Sequence, residues 1–105
     1  MKIAFTSSDG IMIDTHFGKA DKFFIYEIKK GAIYYRGSRK SISYFNPESE
    51  HLFDSERLSK VFKTINDCRM LVTASIGETP MRVLQDKGMM VDVSRGTINS
   101  VFLKL

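Results

Sequence analysis

Apolar and polar positions follow a strand-like pattern in the first part of the chain. Residues 2–7 form a short apolar run, which predicts a buried strand, and the polar segment 8–22 after it predicts a loop. Residues 23–28 and 32–36 are rich in aromatic and β-branched residues and are joined by Lys-Lys-Gly, a tight-turn sequence. These two segments predict an antiparallel hairpin.

Helical periodicity begins after this hairpin. The apolar residues of the first predicted helix recur at i, i+3, i+4 and i+7, namely Leu58, Val61, Phe62 and Ile65. Asn46-Pro47, with Ser49 as the alternative, is its predicted N-terminal cap. The same spacing predicts a last helix that begins at Thr97 and carries Ile98, Val101, Phe102 and Leu105 on its apolar face.

Two strands and one helix complete the predicted order. Residues 70–74 form a continuous apolar run, as expected of a strand covered on both faces, and residues 89–93 predict the last strand. Thr79-Pro80 opens the helix between them, and Gly88 closes it. The predicted order is β-β-β-α-β-α-β-α, which defines an α/β fold.

This order brings four loops to one edge of the predicted sheet. Right-handed crossovers make the fourth and fifth strands parallel to the first. Ligands of open α/β sheets bind beyond the carboxyl ends of the parallel strands. We therefore expect the functional site among the loops at that edge, which are residues 8–22, 37–50, 75–79 and 94–96.

Composition and charge narrow the class of protein. The chain has 105 residues with 43% hydrophobic and 27% charged positions, which predicts one globular domain over residues 1–105. No apolar run approaches the roughly 20 residues of a membrane span, and no signal peptide is recognisable. The one cysteine, Cys68, excludes an intramolecular disulfide and a cysteine-rich metal site. These features predict a cytoplasmic protein without a membrane partner.

The excess positive charge lies in the first half of the chain. Residues 1–47 hold 8 Lys and Arg against 4 Asp and Glu, whereas residues 48–105 hold 8 of each sign. Five cations fall within an acid-free segment of twelve residues: Lys29, Lys30, Arg36, Arg39 and Lys40. They favour an anionic partner, and a strand edge protected by Lys and Arg is the alternative.

His16 is the first candidate for chemistry. Phe17 is expected to anchor its loop in the core, Gly18 to permit a backbone conformation that other residues resist, and imidazole is a good iron ligand. The alternative is a hydrogen bond from His16 to a nearby carbonyl or to Asp14 that orders the loop. His51 is a weaker candidate for the same chemistry.

Cys68 is expected at the other end of the sheet, about 17 Å from His16, as an inert and partly buried thiol.

Two further features indicate chemistry less specifically. The turn between Ser75 and Pro80 leads into a helix N-terminus, where free N–H groups favour an anion, although an ordinary turn explains it equally well. Asp9 and Asp14 lie where a two-metal nuclease would need carboxylates, which makes a metal-dependent nuclease the third of three hypotheses.

Three segments near the start of the chain form a more specific pattern. They are Ser7-Ser8-Asp9-Gly10, the stretch Asp14-Thr15-His16-Phe17-Gly18-Lys19-Ala20, and Phe23-Phe24-Ile25-Tyr26-Glu27. In this pattern the chain resembles the dinitrogenase iron-molybdenum cofactor biosynthesis family. It departs from that family after the fourth strand, where Thr73-Ala74-Ser75 stands in place of a glycine-rich stretch.

The resemblance implies a ribonuclease-H-like fold with a mixed five-stranded sheet. It also implies non-catalytic binding of an anionic iron-molybdenum-sulfur cofactor or its iron-sulfur precursor, with His16 as the metal ligand. We add further candidate residues for binding the cluster or another anion: Ser8, Arg36, Arg39, Lys40 and Gly77, with Arg95 as a further cation.

The first hypothesis is therefore a carrier that exchanges a preassembled cluster with a donor or acceptor protein and binds no nucleic acid. The second is a regulatory or protein-interaction module that binds a partner or a simple anion without a cluster. Tyr34, Tyr35, Tyr44 and Phe45 predict an exposed apolar patch, so a monomer or a weak homodimer is expected.

Overall fold

A five-stranded mixed sheet with helices on both faces organises the chain. The computed structural model describes residues 1–45 and 54–105. Along the chain the elements are β1 (Lys2–Phe5), β2 (Met12–Ile13), β3 (Lys22–Lys29), β4 (Ala32–Lys40), α1 (Ser55–Ile65), β5 (Met70–Thr73), α2 (Glu78–Asp86), β6 (Met90–Val93), β7 (Gly96–Thr97) and α3 (Ile98–Phe102). The strand order across the main sheet is β4-β3-β1-β5-β6. β1 runs antiparallel to β3 and parallel to β5, which is parallel to β6.

The predicted α/β fold with a mixed five-stranded sheet and three helices is confirmed. The predicted order omits β2 and β7, because a strand of two residues is too short to produce an apolar period. These two strands pair with each other, with Met12 opposite Thr97. This pairing connects the loop after β1 to the start of α3.

Two hydrophobic cores lie on opposite faces of the main sheet. On one face, α1 and α2 pack residues such as Leu58 and Leu84 against Ala4 and Leu71 of the sheet. On the other face, α3 packs against the neighbouring positions of the same strands, with Ile98 in the core that contains Phe5 and Val72. β1 and β5 are covered on both sides, which explains their continuous apolar runs.

β4 is longer than the pattern predicts, and its length moves two candidate residues out of a loop. Gly37 adopts φ +92°, and the register between β3 and β4 shifts near this position. Such a β-bulge needs a residue that tolerates positive φ, and it lets pairing resume beyond it. Arg39 and Lys40 therefore lie on β4, opposite Phe23 and Lys22. The prediction that residues 37–40 belong to a loop is wrong.

The helix ends follow local capping chemistry. The Asp54 carboxylate accepts a hydrogen bond from the Arg57 N–H at 3.0 Å and caps α1. The caps predicted at Asn46-Pro47 or Ser49 lie outside the described residues, as does His51. In residues 1–45 and 54–105 no helix is long and apolar enough to cross a membrane.

The two later helices start near their predicted residues, but the last one is shorter. α2 has Pro80 in its first turn, and Gly88 follows its end at φ +91°, as expected of a C-terminal glycine. Thr97 caps α3 by accepting a hydrogen bond from the Ser100 N–H at 3.1 Å. Because α3 ends at Phe102, Leu105 is 59% exposed, and its predicted place on the apolar face is wrong.

A cluster of three charged residues joins the sheet to the end of α1. Arg39 donates to both carboxylate oxygens of Asp67 at 2.6 and 2.9 Å and to the Thr64 carbonyl at 3.0 Å. The Lys2 ammonium donates to the same carboxylate at 3.1 Å. The hydrogen bonds from Arg39, followed by the one from Lys2, hold the pKa of Asp67 well below its usual value. The carboxylate thus links β1, β4 and the segment before β5.

Asp67→Asn is expected to lower the free energy of unfolding by about 1 kcal/mol at neutral pH, since charge-assisted hydrogen bonds lose their charge. The lowered pKa means that the ionised carboxylate stabilises the fold above the unfolded-state value of about 4, and this stabilisation is lost as the pH falls below that value. Urea denaturation between pH 7 and pH 2 should show a steeper loss in the wild type than in this variant. Exposed Asp86→Asn is the control, and identical pH profiles for Asp67→Asn and the wild type would contradict the assignment.

Candidate functional site

The His16 loop takes the place of β1 beside the far end of β5. Pairing between β1 and β5 ends where the Thr6 N–H donates to the Val72 carbonyl at 3.1 Å. Beyond it, the Ala74 N–H donates to the Thr15 carbonyl at 3.3 Å, and the Phe17 N–H donates to the Ser75 carbonyl at 2.8 Å. His16 itself lies opposite Ser75 in a parallel bridge. The backbone of His16 is thus held between two hydrogen bonds to the segment that follows β5.

Two buried threonine hydroxyls support this loop at the strand ends. The Thr6 hydroxyl donates to the Thr15 carbonyl at 2.7 Å and lies 2.8 Å from the Thr73 hydroxyl. The Thr73 hydroxyl lies 3.2 Å from both the Thr15 and the Ser75 carbonyls. Both threonine residues are fully buried. The network satisfies polar groups that would otherwise be costly to bury, and it positions the backbone next to His16.

The His16 ring caps a short 3-10 turn, Phe17–Lys19. Its Nδ1 accepts a hydrogen bond from the Gly18 N–H at 2.8 Å. Phe17 is buried and packs near the rings of Phe23 and Tyr44, so its predicted role as an anchor is confirmed. The ring therefore makes a hydrogen bond that orders the loop, but its partner is the Gly18 N–H and not the carbonyl or Asp14 that was predicted. His16 remains exposed at the surface.

Gly18 is needed for space, and the prediction that it provides an unusual backbone conformation is wrong. Positive φ values occur at other glycines, including Gly10 and Gly37, but not at Gly18. A Cβ at Gly18 would lie 3.1 Å from two atoms of the His16 ring and 3.3 Å from the Phe45 Cβ. The glycine therefore allows the imidazole to lie against the turn.

A cavity of about 180 Å³ opens beside the exposed imidazole. Its lining residues are His16, Phe17, Gly18, Tyr44, Phe45, Gly77 and Pro80. Most of these side chains are apolar or aromatic. Among the lining residues that the structure describes, His16 and the Tyr44 phenol are the ionisable ones. Such a combination of apolar walls and few polar groups is typical of small-ligand sites.

Tyr44 and Phe45 are functional candidates that the sequence pattern did not identify. The Phe45 N–H donates to the Gly18 carbonyl at 2.7 Å, and the Arg57 guanidinium donates to the carbonyls of Ser43 and Tyr44. Tyr34, Tyr35 and Phe45 of the predicted apolar patch are exposed, whereas Tyr44 is partly buried. Tyr34 and Tyr35 lie on β4, while Tyr44 and Phe45 line the cavity.

Of the predicted site residues, His16 and Gly77 come together at the cavity. Ser8 lies outside the cavity lining, and both its N–H and its hydroxyl donate to the Asp14 carboxylate. Arg36 donates to Glu27 at 3.0 Å and lies over the Tyr34 ring, with 4.9 Å to its centroid.

The remaining cations divide between ion pairs and the edge of the sheet. Arg39 is paired with Asp67, away from the cavity lining. Lys40, Arg95 and Lys19 are exposed at the edge where the parallel strands end, and none of them has a carboxylate within 4.0 Å in the part of the chain that the structure describes. Lys19 was not predicted, although it directly follows the His-Phe-Gly segment.

The acidic residues of the loop bind its own backbone. The Asp9 carboxylate accepts hydrogen bonds from the N–H groups of Ile11 and Met12 at 2.9 Å, and these bonds lower its pKa. The Ser8 hydroxyl and N–H lower the pKa of Asp14 in the same way. Within residues 1–45 and 54–105, no three His, Cys, Asp or Glu side chains converge as a metal site. These two carboxylates order the loop.

Cys68 is remote from the His16 cavity. It lies in the core under α1, before the start of β5. Burial raises the pKa of its thiol to about 11, so the thiolate needed for nucleophilic or metal chemistry is disfavoured. The predicted burial of this thiol is confirmed, and the burial is more complete than predicted.

The exposed His16 lies beyond the carboxyl ends of parallel strands, which is the edge where open α/β sheets bind their ligands. The chain belongs to the dinitrogenase iron-molybdenum cofactor family, whose sequence model matches residues 1–105, and the predicted resemblance is thereby confirmed. The chain is 28% identical over 88 residues to the FeMo cofactor biosynthesis protein NifB of Klebsiella pneumoniae. It is also 28% identical over 88 residues to Protein NifX of the same organism.

The chain spans only part of the length of these relatives. The matches cover 82% and 84% of this chain, but 19% of NifB and 53% of NifX. Two solved structures have the same fold at 16% identity. The crystal structure of PH0822 matches 98% of this chain and 87% of its own, with a TM-score of 0.67. The NMR structure of the Thermotoga protein TM1290 matches 96% and 83%, with a TM-score of 0.60.

Thr6→Val is expected to lower the free energy of unfolding by about 1–2 kcal/mol, because the buried Thr73 hydroxyl and Thr15 carbonyl lose a partner. The Phe17 amide, which donates to the Ser75 carbonyl, should also exchange its hydrogen faster in the variant than in the wild type, while exchange in the main sheet changes less. Thr64→Val, which removes a surface hydroxyl from α1, is the matched control. Unchanged exchange at Phe17 in Thr6→Val would show that the hydroxyl does not position the loop.

Gly18→Ala is expected to displace the imidazole, because the new Cβ would approach the ring within 3.1 Å. The ring resonances of His16 should shift, and the amide at position 18 should exchange its hydrogen faster than in the wild type because it loses its imidazole acceptor. Gly77→Ala is the control at the same cavity, since its Cβ would meet Pro80 at an ordinary distance of 3.4 Å. Equal His16 spectra in both variants would contradict this packing.

Proposed function

We propose that this chain binds and carries, without catalysis, a preassembled anionic iron-sulfur or iron-molybdenum-sulfur cluster. The observation that carries the proposal is the position of the exposed His16 imidazole. It lies beside an open cavity, near Gly77, at the carboxyl ends of the parallel strands, in a chain of the iron-molybdenum cofactor family. In this proposal the cluster is cargo, and His16 and Gly77 contact it.

The few metal-ligating side chains of this protein support the proposal that the cluster arrives already assembled. Iron-sulfur clusters built on a protein are usually held by several cysteine thiolates. This chain contains one cysteine, Cys68, which is buried away from the cavity. A cluster at His16 would therefore arrive with its iron and sulfide framework complete and gain few contacts from this protein.

The size and the charge of the site also support carriage. A cavity of about 180 Å³ is smaller than the ~300–1,000 Å³ of pockets that enclose drug-sized ligands, so it would hold one side of a cluster and leave the rest accessible. Lys40, Lys19 and Arg95 would attract its negative charge. Ser8, Arg36 and Arg39 would act indirectly in this proposal, through the loop and the sheet that they stabilise.

The relatives support a place in cofactor assembly. A FeMo cofactor biosynthesis protein and NifX share this region of sequence, so we infer that a donor protein supplies the cluster and an acceptor protein receives it. We also assign the fold to the ribonuclease-H-like group. A β1-β3-β4 antiparallel unit beside two parallel strands, with helices on both faces, supports that assignment.

Wild-type protein is expected to retain iron after anaerobic incubation with isolated iron-molybdenum cofactor, gel filtration and metal analysis. His16→Ala should bind at least about tenfold more weakly, because it loses the side chain that reaches the cavity. His51→Ala changes the other histidine of the chain and should bind like the wild type.

Loss of binding in both histidine variants would show that the effect is not specific to the His16 loop. Absence of iron from the wild type itself would contradict carriage. The interaction-module hypothesis would then be the one to test, by an anaerobic pull-down with the same protein.

A further inference from the structure

The hydrogen bond between Gly18 and His16 determines which ring nitrogen carries the proton. A neutral imidazole has one nitrogen with a proton and one with a lone pair. In this structure Nδ1 accepts from the Gly18 N–H at 2.8 Å, so the lone pair is on Nδ1. The proton of the neutral ring is therefore on Nε2, the nitrogen that does not contact the turn.

This tautomer does not match direct coordination of a metal. A histidine that binds a metal through Nε2 has its remaining proton on Nδ1 and usually donates it to a carbonyl or a carboxylate. Here the neighbour of Nδ1 is itself a donor, so an Nδ1 proton would face the Gly18 N–H across 2.8 Å. Coordination through Nδ1 is blocked as well, because that nitrogen is occupied by the same N–H.

Rotation of the ring does not remove this conflict without a cost. The ring lies against Gly18: a Cβ added at this glycine would be 3.1 Å from two ring atoms and 3.3 Å from the Phe45 Cβ. The space around the ring is therefore narrow on this side. A rotated ring would leave the Gly18 N–H without the partner that caps the turn. The arrangement thus favours an imidazole whose Nε2 carries the proton, in a residue that lines the cavity.

We propose that His16 holds the cargo as a hydrogen-bond donor, through Nε2–H to a sulfide or another anionic atom of the cluster, and not as an iron ligand. The inference rests on the proposed function and specifies the contact that the site makes. Hydrogen bonds to cluster sulfurs are an established way in which proteins stabilise these clusters. Such a contact forms and breaks without a metal–nitrogen bond and without a change in the turn.

The first test measures the tautomer in the protein without cargo. Long-range 1H–15N NMR of the His16 ring above pH 8, where histidine is ordinarily neutral, should show a protonated Nε2 and an unprotonated Nδ1. His51 of the same sample provides an internal comparison. A His16 ring protonated on Nδ1 would overturn the proposal, whether or not the protein carries a cluster.

The second test compares three substitutions in anaerobic titrations with isolated iron-molybdenum cofactor, each variant first shown to be folded by circular dichroism. His16→Gln places an amide N–H near the position of Nε2 and should bind within about tenfold of the wild type. His16→Cys offers a thiolate that binds iron but no comparable donor, and it should lose about ten- to a hundredfold in affinity. His16→Asn retains a good cap for the turn but does not reach the cavity, and it should lose a similar amount.

The outcomes separate the donor role from the other roles of His16. Binding retained by His16→Cys and lost in His16→Gln would assign an iron ligand and overturn the proposal. Wild-type binding by His16→Asn would show that the histidine only orders the loop, which also overturns it. A wild type that retains no iron would overturn the proposed function and the donor role together, whereas the first two results leave the proposed function intact.

Discussion

The candidate site depends on one backbone constraint: along one edge of β5, the hydrogen-bonding partner changes from β1 to the His16 loop. β1 pairs with β5 only as far as Thr6, and the loop at Thr15 and Phe17 then takes over the same edge. The Thr15 carbonyl is central to this exchange, because it accepts from the Ala74 N–H and from the buried Thr6 hydroxyl. A loop of polar residues is thereby hydrogen-bonded to the segment after Thr73 much as a strand would be, and His16 lies between two of these bonds.

The three residues that replace the glycine-rich stretch of the family also take part in these hydrogen bonds to the His16 loop. Thr73-Ala74-Ser75 provides a hydroxyl, a buried methyl group and a carbonyl, and each has a place in the described structure. The Thr73 hydroxyl and the Ser75 carbonyl both support the His16 loop. The Thr73 hydroxyl, which a glycine would lack, thus adds support beneath the site, whereas Ser75 contributes its backbone carbonyl, as a glycine also would. Gly77, which lines the cavity, has no Cβ.

Much of the fold and part of the site were predictable from the sequence. Strands and helices with a clear apolar period, such as β5 and α1, follow from local pattern, and the His-Phe-Gly segment identified His16. The structure divides the run of cations, because Arg36 and Arg39 find carboxylates on neighbouring elements whereas Lys40 has none within 4.0 Å among the described residues. Tyr44 and Phe45 reach the cavity through contacts with Gly18 and Arg57, which are distant in sequence and leave no local signal.

The hydrogen bonds of the loop limit the kind of contact that His16 could make with the proposed cargo. Because the Phe17 N–H is bound to Ser75 and the Gly18 N–H to the imidazole, the ring has little freedom to change its orientation without a loss of hydrogen bonds. A metal–nitrogen bond would require the turn to lose its cap on loading and to regain it on release. A donor at Nε2 leaves the turn unchanged in both states. The hydrogen-bond pattern that stabilises the empty loop therefore favours a contact that forms and breaks without reorganising it.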